Sequence, residues 1–421
     1  MINYQQKLIN YFFEYLQFNT QSNETAKTIP STSGQMELAR YIFKQLRDFG
    51  IQDVSLDDQA VLIVRIDGSI PGPTIAFLSH LDTADIGMNP EIQAQKIHFT
   101  GNEIILNSEK NIIMSPELFP ELLQYLGEDI IFSTGTSILG CDNKAGLAVL
   151  TTLGEYLIRE KPEHSTVILI YVPDEEIGLL GSQLLDTKKI NADFAYTIDG
   201  GPLGEFGYET FNAASAEITI QGISIHPGSG KDKLVNPILI ANDLINQFDP
   251  LNTPEHSEGR EGFFWIHDIT GNPTQAKIEL IIRDFDLKEF ENKKQWLRSA
   301  IKDISLRYPK AKIDYQITDN YANIANTLPS DRRCIDLAMQ AMENLGITVY
   351  TEPIRGGTDG SILSANGLIT PNLFTGGHNF HSIYEFLPIR SFQQSFETAV
   401  EIVKLAKYYT KVENDPNFKT Q

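Results

Sequence analysis

Residues 165–178 read STVILIYVPDEEIG, an unbroken apolar run followed at once by three acidic side chains. A run of that length without polar alternation is the pattern of a strand buried on both faces. Three other stretches carry the same signature: QAVLIVRI (59–66), TIAFLSHL (74–81) and FAYTID (194–199). AGLAVLTTLGEYLIRE (145–160) has helical periodicity and falls between the second and third of these strands in chain order. Strands alternating with helices predict an α/β fold, a mostly parallel sheet with helices on both faces. Ligands of such a sheet belong at the carboxyl ends of its strands.

A second pattern begins near residue 210. EITIQGISIHPG alternates, with Gly222 shifting the phase as a bulge would, and NPILIANDLINQF reads as a helix. AKIELIIRDFD alternates again, KEFENKKQWLRSAIKDISLRY is a long amphipathic helix, and KIDYQITDNY is a further strand. This predicts an inserted α+β lid domain over 210–323, interrupting a discontinuous first domain of residues 1–209 and 324–421. Beyond the insertion, SDRRCIDLAMQAMENLG and FQQSFETAVEIVKLAKYYTK return to helix, with ITVYTEP and PNLFTG as short strands between them.

The 421 residues carry 55 acidic and 34 basic side chains, a formal net charge of −21. That balance argues against nucleic acid and anionic membranes, polyanions that reward clustered Lys and Arg. The N-terminal stretch MINYQQKLINYFFEYLQF has helical spacing without the basic start and apolar core of a signal peptide, and no run approaches a membrane span. Two cysteines, Cys141 and Cys334, cannot form a disulfide framework. Together these predict a cytoplasmic protein.

Four distant stretches place metal-ligand residue types just after apolar runs: AFLSHLDTAD (His80, Asp82), SILGCDNKAG (Asp142), YVPDEEIG (Asp174, Glu175, Glu176) and FAYTIDGG (Asp199). Carboxylates gathered without a cation raise one another's pKa, whereas divalent ions hold them ionised. Two ions fit better than one, because a carboxylate bridges a pair about 3.5–4 Å apart. A mixed His and carboxylate shell suits Zn²⁺ first, with Mn²⁺ or Co²⁺ as alternatives. In HLD the two-residue period sends His80 and Asp82 to one side of the strand end, so the aspartate can orient the imidazole. In DEE, adjacent side chains diverge, so one glutamate can coordinate while its neighbour stays free to take a proton from water.

SHLDTAD, LGCDNKAGLA, PDEEIG, TIDGGPLGE, TPEHSEGREGF with IIRDFD, PIRGGTDGS and PNLFTGGHNFHSIYEF together resemble the tripeptide aminopeptidases among the dizinc metallopeptidases with an inserted lid. The similarity runs through nearly the whole chain, including the segment from Ile86 to Ile131 that many wider relatives lack. The resemblance implies two Zn²⁺ per subunit, one held by His80, Asp142 and Asp199 and the other by Asp142, Glu176 and His381. It implies that Asp82 orients His80, that Glu175 is the general base, and that His226 of ISIHPGSG reaches the substrate carbonyl. Arg283 and Arg355 match arginines that bind the carboxylate end of a short peptide. Some lid-bearing relatives dimerise, so a homodimer is compatible with the resemblance. Asn143 replaces an aspartate that commonly follows the bridging one, and HSIYEF stands where HGKHEF is common. Of the two histidines in GHNFHSIYEF, His381 is the family match and His378 a neighbour of the site. Cys141 is expected as a small buried residue. A dipeptidase, an N-deacylase and a noncatalytic peptide-binding protein are the alternative functions on this scaffold.

Overall fold

The computed structural model describes residues 3–328 and 331–409. Sequence expectations for residues 1–2, 329–330 and 410–421 lie outside the described residues; they concern the start of the first helix, the Ser330 start of a later one and the end of the last. The chain forms two compact units, one of Met1–Tyr208, Thr327–Glu352 and Thr358–Gln421, the other of Glu209–Asn326 and Pro353–Gly357.

The first unit is built on a seven-stranded sheet. Its strands lie in the order Asp53–Leu56, Leu62–Ile66, Val167–Val172, Ile75–His80, Phe194–Gly200, Asn372–Phe374, Phe206–Gly207. Every residue of Ile75–His80 and of Val167–Val172 is buried, as the absence of polar alternation requires. Each large apolar side chain removed from water in this way contributes roughly 1.5–3 kcal/mol. Alternate residues serve opposite faces. Ala76, Leu78, Ile168 and Ile170 pack with Leu185, Ile190 and Leu363 on one face. Ser79 and Leu169 approach Gly146 and Gly154 of the helix Cys141–Glu160 on the other. A Cβ on Gly146 would stand 2.2 Å from Ile198 O, so only glycine lets the helix start lie this close to the strand that carries Asp199.

The sheet is mixed, which corrects the expectation of a mostly parallel one. Val167–Val172, Ile75–His80, Phe194–Gly200 and Asn372–Phe374 run parallel at its centre, and the remaining three ladders are antiparallel. Asp53–Leu56 and Leu62–Ile66 are joined through residues 57–61, far too short a connection for a parallel crossover, which needs a dozen or more residues. The segment after Ile86 adds antiparallel pieces of its own. Asp129–Ser133 lies between Ala94–His98 and Phe386–Pro388, and Ile104–Asn107 pairs with Ile112–Met114. Phe99, Met114, Leu122, Phe132 and Phe386 form their common core. ITVYTEP contributes no strand, only an isolated bridge between Tyr350 and Glu205.

The second unit is a four-stranded antiparallel sheet in the order Phe263–Gly271, Gln275–Asp284, Asn212–Gln221, Lys312–Tyr321. The helices Pro237–Ile245 and Leu287–Arg307 bury Ile240, Leu244, Leu297, Ile301 and Ile304 against Ile218, Ile220, Ile278 and Leu280. Asp286 caps the longer helix, accepting from the backbone N–H of Lys288 and Glu289. Gly222 is not a bulge within a strand, because Asn212–Gln221 ends before it and the register shift falls at Ala213/Ala214. The segment Pro353–Gly357 joins this unit. Its Arg355 donates from Nη1 to Gly259 O at 2.8 Å and Glu261 O at 3.1 Å, and from Nη2 to Ser257 Oγ at 2.7 Å. Among the described residues, no helix is long and apolar enough to cross a membrane.

Candidate metal centre

The three central parallel strands end at one edge of the sheet, and the ligand-type residues follow from that. His80 is the last residue of Ile75–His80, the DEE loop follows Val167–Val172, and Asp199 is the penultimate residue of Phe194–Gly200. Asp142 comes from the first turn of the helix Cys141–Glu160. Two groups of side chains meet here, His80 with Asp142 and Asp199, and Asp142 with Glu176 and His381; within each group the ligand atoms lie within 4.8 Å of one another.

Asp142 belongs to both groups and divides its oxygens between them. His80 Nε2 is 2.9 Å from Asp142 Oδ1 and 3.4 Å from Asp199 Oδ1. His381 Nε2 is 3.1 Å from Asp142 Oδ2 and 2.9 Å from Glu176 Oε1. One carboxylate thus presents one oxygen to each triad, the arrangement by which an aspartate bridges two cations.

Asp82 aligns two strand ends at once. His80 Nδ1 lies 3.2 Å from its Oδ1, so Nε2 is the nitrogen left for the triad. Asp82 Oδ1 also accepts from Glu175 N at 2.9 Å and Oδ2 from Glu176 N at 3.1 Å. The three acids of DEE are then distinct. Asp174, with a positive φ of 54°, turns away and accepts from Ser31 N at 2.7 Å, Ser31 Oγ at 2.5 Å and Gln35 Nε2 at 2.6 Å. Glu176 enters a triad, and Glu175 belongs to neither.

The electrostatics are those of a cation site. Burial drives the Glu175 carboxyl well above the usual carboxylate range; Asp199, Asp359 and Glu176 add to the rise, and His80 opposes it. Burial likewise pushes Asp199 and Glu176 up to about 7. Burial also works against ionisation of Asp142, but hydrogen bonds from His381 and His80 outweigh it and hold that carboxyl below the usual range. Burial disfavours charge on His80, yet Asp199, Asp142 and Asp82 raise its imidazole well above the ordinary value. Hydrogen bonds to Asp142 and Glu176 lift His381 to about 10. Asp199 Oδ1 is buried and has no hydrogen-bond partner among the described residues. A buried carboxylate oxygen that makes no hydrogen bond and lies 3.4 Å from an imidazole Nε2, beside a shared aspartate, fits a divalent cation, and the mixed N/O donor set fits Zn²⁺.

Cation binding must displace protons from imidazoles whose proton affinity is raised. Uptake of Zn²⁺ by the chelated protein at pH 7 is therefore expected to release protons, and the apparent affinity to rise with pH. Titration calorimetry in two buffers of different ionisation enthalpy reads this directly; equal heats in the two buffers would contradict it.

The remaining sequence candidates are placed as follows. His378 is buried, with Nε2 2.6 Å from Tyr125 Oη and its ring stacked on Phe386; it belongs to neither triad. Burial lowers its imidazole to about 4. Cys141 is fully buried with a free thiol. Asn143 is buried as well, its Oδ1 accepting from Gly146 N at 3.1 Å inside the helix start. His226, Arg283 and Arg355 lie in the second unit. His226 is exposed and its Nδ1 accepts from Gly228 N at 3.2 Å. Arg283 stacks over Tyr321 at 5.1 Å, and its Nη1 is buried without a hydrogen-bond partner among the described residues. Asp174, grouped in the sequence with its acidic neighbours as a ligand-type residue, is instead an anchor to Ser31 and Gln35; the anchoring role of Glu385, whose partners lie some 245 residues away, left no signal in the sequence.

Two triads sharing an aspartate, with a free carboxylate beside them at a sheet edge, define a dinuclear metallohydrolase. The chain belongs to the peptidase family M20/M25/M40, whose profile matches residues 133–405. It is 47% identical over 393 residues to a peptidase T-like protein of Yersinia pestis, covering 93% of this chain and 96% of that one. A peptidase T of Clostridium novyi (strain NT) is 41% identical over 403 residues, covering 94% and 98%. Among solved structures, an aminopeptidase from Bacillus cereus ATCC 10987 superposes with a TM-score of 0.74 at 23% identity, covering 96% of this chain and 98% of that one. A dinuclear metal-binding peptidase of the M20 family from Bacillus subtilis gives 0.65 at 16% identity, covering 96% and 99%. At these identities the two structures speak for the fold alone.

Proposed function

We propose that this chain is a metallo-aminopeptidase that removes the N-terminal residue from tripeptides. The observation that carries the reading is the division of Asp142 between His80 and His381, one oxygen to each. The similarity to peptidase T proteins over more than nine-tenths of the chain supports the substrate class.

When bound, a pair of Zn²⁺ ions held by His80, Asp142 and Asp199 and by Asp142, Glu176 and His381 supplies Lewis acidity and makes water acidic enough to ionise near neutral pH. Glu175 takes a proton from the attacking water on its carboxylate and returns it to the amine nitrogen as the C–N bond breaks. Its surroundings suit the task, since a carboxyl raised by burial holds a proton more readily than a solvated one. Asp82 keeps His80 in the Nε2-ligating orientation and, through two backbone N–H groups, holds Glu175 and Glu176 in register. In this scheme His226 donates a hydrogen bond to the carbonyl oxygen.

Arg283 is the stronger candidate for the substrate's carboxylate end, because a buried guanidinium nitrogen with no hydrogen bond among the described residues is costly unless an anion occupies it. Arg355 already donates to two backbone carbonyls and Ser257 Oγ, and lies over Phe211 and Phe263. It contributes by holding the 257–261 segment as well as by its charge.

The test is a series of di-, tri- and tetrapeptides, with N-acetylated and C-amidated tripeptides, offered to the zinc-loaded protein. Free tripeptides are expected to be the best substrates, and the acetylated ones to resist cleavage. Cleavage indifferent to the blocked amino end would reject the aminopeptidase reading. Arg283→Ala is expected to raise KM for free tripeptides by roughly ten- to a hundredfold, the scale of a lost charge-assisted hydrogen bond of about 1.5–3 kcal/mol, and to leave KM for C-amidated ones nearly unchanged.

A further inference from the structure

We infer that Glu385 is a positioning residue of the dinuclear site, a carboxylate that fixes the shared ligand Asp142 to the segment bearing His381. The inference rests on the reading of the two triads as a cation site. Glu385 is 1% exposed and receives five donors. Its Oε2 accepts from Leu139 N at 2.7 Å and Gly140 N at 2.8 Å. Its Oε1 accepts from Cys141 N at 2.8 Å, Asp142 N at 3.2 Å and Cys141 Sγ at 2.8 Å.

Four successive backbone N–H groups, the last of them that of Asp142 itself, thus converge on one side chain. The first N–H groups of a helix have no partner within it, and here the first two of the helix Cys141–Glu160, with those of the two residues before it, donate to one buried carboxylate. Gly140, in the left-handed region at φ 73°, curls the preceding backbone so that all four groups face inward. Glu385 is fixed at its own end. Its N–H donates to Ser382 O at 3.2 Å, and Phe386 is bound into the strand Phe386–Pro388 against Asp129–Ser133.

The consequence is mechanical. Asp142 and His381 are 239 residues apart in the chain, and they must be held about a hydrogen-bond length from each other for the second triad to exist. Glu385, four residues from His381, ties their segments directly through the backbone N–H groups of residues 139–142. Because Asp142 serves both triads, loosening it degrades both at once. Among the described residues the Glu385 carboxylate is hydrogen-bonded to the backbone of residues 139–142 and the Cys141 thiol and to no ligand atom of either triad, which separates its role from that of a catalytic residue.

The test uses Glu385→Gln, which keeps the shape but turns an amide N–H₂ toward donors, and Glu385→Asp, which keeps the charge but withdraws it by one methylene. Wild type and variants are stripped with chelator, melted, and titrated with Co²⁺ while the visible ligand-field band is followed. Wild type is expected to take up two equivalents. The variants are expected to bind about ten- to a hundredfold more weakly, as for other lost supports of metal ligands, with a shifted or weakened band. Glu385→Asp supplies the readout if the amide variant does not fold. A variant that melts lower but binds Co²⁺ with wild-type affinity and an unchanged band would overturn the positioning role and leave a purely structural one. Wild type that binds no Co²⁺ would instead overturn the reading of the triads beneath it.

Discussion

Glu175→Gln is expected to lower kcat by at least about 10²- to 10⁴-fold, the range general acid–base catalysis supplies, while the protein still takes up two equivalents of Zn²⁺. The separation of the two effects is the substance of the prediction. Glu175 belongs to neither triad, so its amide removes no ligand. Its backbone N–H, which Asp82 holds at 2.9 Å, is untouched, so Glu176 stays in register. What disappears is a carboxylate that burial drives well above the usual range and that can both accept and return a proton. Turnover and metal content measured on the same preparation decide the matter. A variant that retains activity would remove Glu175 from its role, and one that loses metal would make it a ligand.

Asp142→Ala is expected to be more damaging still, and in a different way. Ala subtracts one donor from each triad, leaving His80 with Asp199 on one side and Glu176 with His381 on the other. Affinity for both ions is expected to fall beyond the tenfold to hundredfold typical of losing a mere support of a ligand, and activity to fall to background. Glu176→Ala, by contrast, subtracts a donor from one triad only. The two variants therefore differ in stoichiometry at limiting Zn²⁺, none for the shared aspartate and one for the unshared glutamate. Equal stoichiometry in the two variants would deny Asp142 its bridging position.

The strand ends that carry His80, Asp199 and the DEE loop were legible because buried central strands leave an unmistakable apolar run and because ligands must follow them. The family motifs then assigned those residues and His381 to triads that the geometry reproduces. Strand direction was not legible, since it depends on which distant segments pair and how short their connections are; the 57–61 turn is the instructive case. The edge strand Phe263–Gly271 went unread because most of its residues are exposed, so no alternation marks it. The strands after Ile86 were missed for a related reason, being short and built around a small core of their own. Asp174 and Glu385 lay beyond the reach of spacing rules altogether. Each is an acidic residue whose purpose is set by backbone N–H groups and side chains far off in the chain, Ser31 and Gln35 for one and residues 139–142 for the other.

The central claim is that one aspartate seats two cations. Crystals of the zinc-loaded, catalytically active protein, with anomalous differences recorded on both sides of the zinc absorption edge, test it most directly. The account predicts two anomalous peaks about 3.5–4 Å apart, one flanked by His80 and Asp199, the other by Glu176 and His381, with Asp142 between them. A single peak in fully active material, or a pair lying elsewhere in the chain, would contradict it.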